Sequence, residues 1–322
     1  MRSVEYLMGR LPSIAGDNQA LQADFPDIMS ALQTTHSHCV DGDVEQCRLF
    51  MTAVMALARF LGFRNALDDR IKWGEAALAV AERLDDNLAI AELCASTICW
   101  PLLQQGKVED AERYSRRGLE AALRCDDAMI GAKWAGSAAR TLSGVARDRN
   151  DGETAYYWAG RAAEYASICQ DQLLIRGAEL DFGYAALIRE DFTEAERRFR
   201  ALAEFEDRKA DKDIERLANR TGDLALAIMN QAIRMGDSAT KNQLCLQARE
   251  IYERCLSLGQ RIEHRVAVAE AESGLAIVAR ALGEDREYER LTESCHRRFA
   301  ELGITRESRA EQFILFPATG ND

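Results

Sequence analysis

Gly106-Lys107-Val108-Glu109-Asp110-Ala111 is the stretch on which the fold turns. A residue that ends helices comes first, acidic residues follow, and a small residue stands five positions on at the head of an amphipathic run. The pattern returns as Asn150-Asp151-Gly152-Glu153-Thr154-Ala155 and as Glu190-Asp191-Phe192-Thr193-Glu194-Ala195. Weaker copies centre on Ala248 and on Gly283 with Tyr288. The alanines at 111, 155 and 195 lie 44 and 40 residues apart, and the next interval stretches to 53. Self-similarity at such a period marks a stacked repeat, because one helix pair cannot bury its apolar face alone.

Working outward, the rest of the chain agrees. Only four prolines occur, Pro12, Pro26, Pro101 and Pro317, so between Pro101 and Pro317 no residue lacks a backbone N–H. Good helix formers dominate there, and period-2 runs of β-branched residues are missing. The expected class is all-α, a right-handed α-α superhelix of about six helix pairs. Paired helices are expected near 88–104 and 108–124, 128–148 and 152–168, 173–189 and 192–206, 214–235 and 241–258, and 265–282 and 285–302. An earlier pair runs from the Asp43 cap to Leu61-Gly62-Phe63 and from about Asp68 to Leu84. Pro101 is expected to break its helix. The stretched interval places lengthened loops at Glu206–Asp213 and Gly236–Asn242.

Three segments follow. Residues 1–23 carry Gly9, Pro12, Gly16 and Asp17 and read as irregular. Residues 24–302 are the repeat domain, opened by a helix from about Asp24 to His38 with Pro26 in its first turn. Residues 303–322 form a tail in which Phe313-Ile314-Leu315-Phe316-Pro317 caps the last pair or docks on a neighbour.

Bulk properties exclude several functions. A net charge of −12 over 322 residues argues against contact with nucleic acid, which needs a basic patch. Nine cysteines without a CxxC, and no signal-like N-terminus, read as reduced thiols in a cytoplasmic protein. No run reaches the ~20 apolar residues of a membrane span. His36-Ser37-His38-Cys39 with Cys47 holds metal-ligand types, yet two residues apart on a helix the imidazoles of His36 and His38 point about 200° apart, so water-facing helix-end residues are expected. Cys295-His296 reads as a buried thiol beside an exposed imidazole. No nucleophile elbow, HExxH or dinucleotide glycine pattern appears, so no cofactor and no catalysis are expected.

The alanine positions Ala111, Ala155, Ala195 and Ala248 resemble the second-helix contact point of the tetratricopeptide family. Large-small pairs in the first helices, Phe182-Gly183, Ile98-Cys99, Leu142-Ser143 and Leu275-Ala276, resemble that family's close helix contact. Phe25-Pro26-Asp27-Ile28-Met29-Ser30-Ala31-Leu32, just before the first repeat, looks similar to the opening helix of the arms of STAND-type signalling regulators. That resemblance implies an attached or associated nucleotide-binding module, although Gly236-Asp237-Ser238-Ala239-Thr240-Lys241 lacks the order of a phosphate-binding loop.

In such an array the first helices line a concave face. The groove-facing candidates are Arg59, Ser96, Trp100, Arg140, Arg147, Tyr184 and Arg280. Trp100 leads, because aromatics and arginines dominate interaction hot spots; burial between repeats is its alternative. Trp73, Trp134 and Trp158 read as packing residues. Arginines in the groove imply an acidic or C-terminal-carboxylate peptide as partner. Two functions stand: a protein- or peptide-binding scaffold or sensor arm, and an inducer-binding domain of a regulator. Self-association through the tail is a further option.

Overall fold

A left-handed residue closes helix after helix, and this is what makes the repeat visible. The computed structural model describes residues 4–15, 18–40, 43–210, 213–235, 238–304 and 307–314. Helices α1 (Val4–Ile14) and α2 (Asn18–Val40) come first, then the pair α3 (Val44–Phe63) and α4 (Leu67–Arg83). The next pair sets α5 (Asn87–Glu92), a π-helical segment Leu93–Ile98 and α6 (Cys99–Gln104) against α7 (Val108–Ala122). Then come α8 (Ala128–Asp148) with α9 (Gly152–Cys169), and α10 (Gln172–Ile188) with α11 (Phe192–Arg208). The last pairs are α12 (Ile214–Arg234) with α13 (Ser238–Arg261), and α14 (Arg265–Ala281) with α15 (Asp285–Glu301), followed by the short α16 (Arg309–Phe313). The fold is all-α, a tetratricopeptide-like array of helix pairs with no strand among the described residues.

The turns explain the sequence signal. Gly106, Gly283 and Gly303 have φ near +70°, and Asn65, Asp85, Asn150, Gln170, Glu190 and Glu263 sit in the same left-handed region. After most of them the next amide reaches back to a carbonyl in the last helical turn, as in Lys107 N–H to Leu102 O and Asp151 N–H to Ala146 O, both 2.9 Å. This six-to-one bond is the Schellman stop. An aspartate or its equivalent then starts the next helix: Asp191 accepts from the Glu194 amide at 3.1 Å. Five residues past the left-handed position, Ala111, Ala155 and Ala195 are fully buried, because the paired helices approach there.

The chain divides into two compact units, residues 1–145 with 161–175, and residues 146–160 with 176–322. In the first, Leu11, Leu21, Phe50, Phe60 and Ile98 lie at the centre of the core. In the second, Phe199, Ile228, Met229 and Tyr252 do. Close approach in the second unit is set by two glycines: a Cβ at Gly183 would lie 2.3 Å from the Phe199 ring, and one at Gly274 would lie 2.3 Å from the Tyr252 ring.

Five expectations need correction. The N-terminal segment is helical rather than irregular, because burial of Leu11 and Leu21 against the first core outweighs Gly9 and Pro12. For the same reason α2 begins before Asp24 and carries Pro26 in its interior, not in its first turn. Pro101 does not break its helix, for reasons given below. Helix α3 does have the length and mean hydropathy, 1.2, of a membrane span; its Phe50, Val54, Leu57 and Leu61 pack inside the first unit instead. His36, expected to face water, packs its ring 4.9 Å from Phe50 and 6.0 Å from Trp73. Cys295 is buried and His296 exposed, as expected. Leu315, Phe316 and Pro317, and part of both lengthened loops, lie outside the described residues.

Candidate functional site

In the first unit two of the candidates, Ser96 and Trp100, gather around one unexpected arginine. Asn65 is the left-handed residue before α4, and five positions on, where three later pairs hold the buried alanines Ala111, Ala155 and Ala195, stands Arg70. Its residue is 9% exposed. The reason lies in the next pair. Pro101 has no N–H for Thr97 O four residues back, nor for Ser96 O five residues back in the π pattern. Arg70 supplies both: Nε donates to Thr97 O at 3.1 Å and Nη2 to Ser96 O. The helix therefore runs on through Pro101 with its carbonyls satisfied. Gly62 leaves the room, since a Cβ there would meet Arg70 Nη1 at 2.7 Å. Burial pulls the guanidinium down from its ordinary range to about 10.

Trp100 lies over this guanidinium, 5.1 Å from ring centre to cation, and is 43% exposed. Ser96 turns its hydroxyl onto its own helix, donating to Glu92 O at 2.8 Å. Arg59 is exposed on α3, and Arg140 is half-buried on α8. Trp73 is buried as expected, whereas Trp134 and Trp158 are half-buried. Trp100 and Ser96 are thus neighbours of one built feature, and its chemistry is structural.

The second unit holds Arg147, Tyr184 and Arg280. Arg280 is exposed at the end of α14, near the Tyr288 ring. Tyr184 and Arg147 belong to a buried polar cluster that the sequence reading did not foresee. Tyr184 on α10 donates its hydroxyl to Asp223 Oδ1 on α12 at 2.6 Å, and Arg147 lies over its ring at 5.0 Å. Asp223 is 1% exposed and accepts from Arg220 Nη1 at 2.9 Å on its other oxygen. Glu270 on α14 completes the set, and Tyr184, Asp223 and Glu270 all stand on first helices of their pairs. Burial and the Asp223 charge push the Tyr184 phenol up to about 12.

This face of α10, α12 and α14 is occupied by the chain itself. The segment after α15 turns back, and α16 rests against α12 and α14. Arg309 reaches Asp223 Oδ1 at 2.5 Å, and its backbone N–H donates to Glu270 Oε2 at 2.8 Å. Although burial acts against its charge, Tyr184, Asp223 and Glu270 hold the guanidinium well above its usual range. Ser308 and Ser273 share a hydrogen bond of 2.6 Å, and Ser308 with Glu311 forms a capping box. Phe313 stacks at 5.4 Å from Tyr184, and Glu311 meets His296 at 2.9 Å. The space left around Arg309, Tyr252 and Cys255 is about 10 Å³, room for at most one water. The face therefore carries two buried carboxylates met by an arginine of the chain itself, with Arg147 and Arg220 beside them. The missed residues, Asp223 and Glu270, stand in apolar helix runs, where a buried carboxylate needs a cation from elsewhere.

No protein-family model and no curated protein sequence matches the chain. Among solved structures it is similar to the apo form of RapI, at 12% identity and TM-score 0.55, covering 92% of this chain and 98% of that one. It is also similar to BtubC (BKLC) from P. vanneervenii, at 16% identity and TM-score 0.52, covering 75% and 94%. A putative kinesin light chain with TPR-like repeats from Podosopora anserina aligns at 12% identity over 69% and 96%, with a TM-score of 0.44. The first two support the tetratricopeptide-like fold and nothing narrower.

Proposed function

We propose that this chain is a non-catalytic scaffold or sensor arm that binds a protein or peptide on the inner face formed by α10, α12 and α14. Tetratricopeptide-like arrays serve in general as protein-interaction scaffolds. One observation carries the narrower reading: this face already holds a peptide-like segment, seated through side-chain and backbone hydrogen bonds. With the segment in place, a space of about 10 Å³ is left beside Arg309, Tyr252 and Cys255. We further propose a role as the arm of a signalling regulator working with an attached or associated nucleotide-binding module in the cytoplasm. Nine free thiols fit a reducing compartment.

Site-specific photo-crosslinking in cells tests the assignment. A photoreactive residue at Arg147 or Arg220 should trap protein partners, while one at Arg200 or Glu253 on the second helices should not. Crosslinks arising only from the second helices overturn it.

A further inference from the structure

Resting on that reading, we propose that the partner is a peptide segment with the chemistry of Ser308–Phe313, a capped helical start presenting an arginine with an aromatic four residues on. The resident copy holds the face until such a segment displaces it. Three observations point the same way. The receptor carboxylates, Asp223 and Glu270, are almost fully buried, and Asp223 lies between Arg309 and the neighbouring Arg220. Asp223 and Glu270 sit on different first helices, 47 positions apart in the chain, so a single arginine bridges two repeats. Phe313 meets Tyr184, whose hydroxyl is itself bonded to Asp223, so the aromatic and cationic subsites share one wall.

The contacts also explain why a free partner is needed in this form. Arg309 enters between the two carboxylates, and its guanidinium fixes register by geometry as well as charge. Ser308 and Glu311 pre-form the helical start, which lowers the ordering cost of binding. A segment tethered within a few residues of α15 enjoys an effective concentration in the millimolar range. A competing peptide of equal intrinsic affinity therefore binds the intact chain weakly and the released chain well.

The probe is a fluorescein-labelled synthetic peptide with the sequence of residues 307–314, followed by fluorescence anisotropy. The Arg309→Ala chain should bind it at least tenfold more tightly than the wild type. Adding Asp223→Asn to that chain should return binding to the wild-type level, and a peptide carrying Arg309→Ala should not bind. A second, reversible test uses Ser273→Cys with Ser308→Cys, whose native hydroxyl oxygens are 2.6 Å apart. Oxidation locks the segment and should abolish binding, and reduction should restore it. Equal binding by the locked and reduced chains overturns the proposal. So does binding indifferent to Asp223→Asn, or release that yields only dimers exchanging the segment between copies. If the peptide never binds but the inner-face photo-crosslinks persist, this inference fails while the proposed function stands.

Discussion

Gly183→Ala and Gly160→Ala make the same chemical change in two helices of the second unit and should move stability in opposite directions. At Gly183 the new Cβ would lie 2.3 Å from Phe199 Cε1 and 2.8 Å from two further ring atoms. Phe199 is fully buried and meets Tyr184 edge-on at 5.3 Å, so the ring has nowhere to go. Overpacking of this kind costs about 3 kcal/mol, the upper end of its usual range. The helix preference of alanine over glycine offsets about 1 kcal/mol. A net loss of about 2 kcal/mol lowers the melting midpoint by roughly 4–8 °C in a body of this size. At Gly160 the nearest atom is Phe182 Cζ at 4.0 Å, ordinary contact, so the alanine should gain about 1 kcal/mol and raise the midpoint by roughly 2–4 °C. Calorimetric melts measure the sign, and hydrogen exchange across Phe192–Leu202 locates the damage. A Gly183→Ala chain as stable as the wild type, or a Gly160→Ala chain that melts lower, refutes the close-contact account.

Further expectations concern the two arginine-centred features. Arg70→Met leaves two buried carbonyls without donors, at about 1–3 kcal/mol each, against about 3 kcal/mol regained from not burying a guanidinium. The net loss is up to about 3 kcal/mol and should be read as faster amide exchange across residues 98–104; unchanged protection there refutes the role given to Arg70. Tyr184, raised to about 12 in the fold against about 10 unfolded, contributes stability that is complete below pH 10 and lost as pH rises through 12. Denaturant titrations should show the wild type losing roughly 3 kcal/mol more than Tyr184→Phe across that window; parallel curves would dismiss the effect. Ser308→Ala removes the capping box and the Ser273 partner, and should weaken α16 by about 1 kcal/mol, visible as exchange of the residue 309–314 amides.

The helix pairs were legible because their two determinants are local. A turn residue that tolerates positive φ and a small residue five positions later fall within one reading window, as in Gly106 to Ala111. The signal faded where other residues took the left-handed position: Gln170 and Glu263 look like ordinary helix formers. Arg70 shows a deeper limit. It occupies the alanine register, and only the carbonyls of a segment 26 and 27 residues away explain its presence. The inner face was hidden for the same reason. Tyr184 was picked out, but Asp223 stands 39 positions from it and Arg309 another 86, and nothing periodic links the three. Electrostatic complementarity between distant stretches leaves no pattern that a repeat search can detect.

The left-handed residues also work as a ruler. From Asn65 to Asp85, Asn150 to Gln170, Gln170 to Glu190, Glu263 to Gly283 and Gly283 to Gly303 the interval is 20 residues each time. From Asp85 to Gly106 it is 21, and that interval contains the π-helical segment Leu93–Ile98. A π turn takes up one residue more than an α turn. The first unit thus absorbs a one-residue insertion inside a helix, leaving the turns at both ends with their normal geometry. An alignment that allows gaps only in loops would misplace it. The extra residue and the arginine at the alanine position meet in one place, because the carbonyls that Arg70 holds, those of Ser96 and Thr97, belong to the π-helical segment.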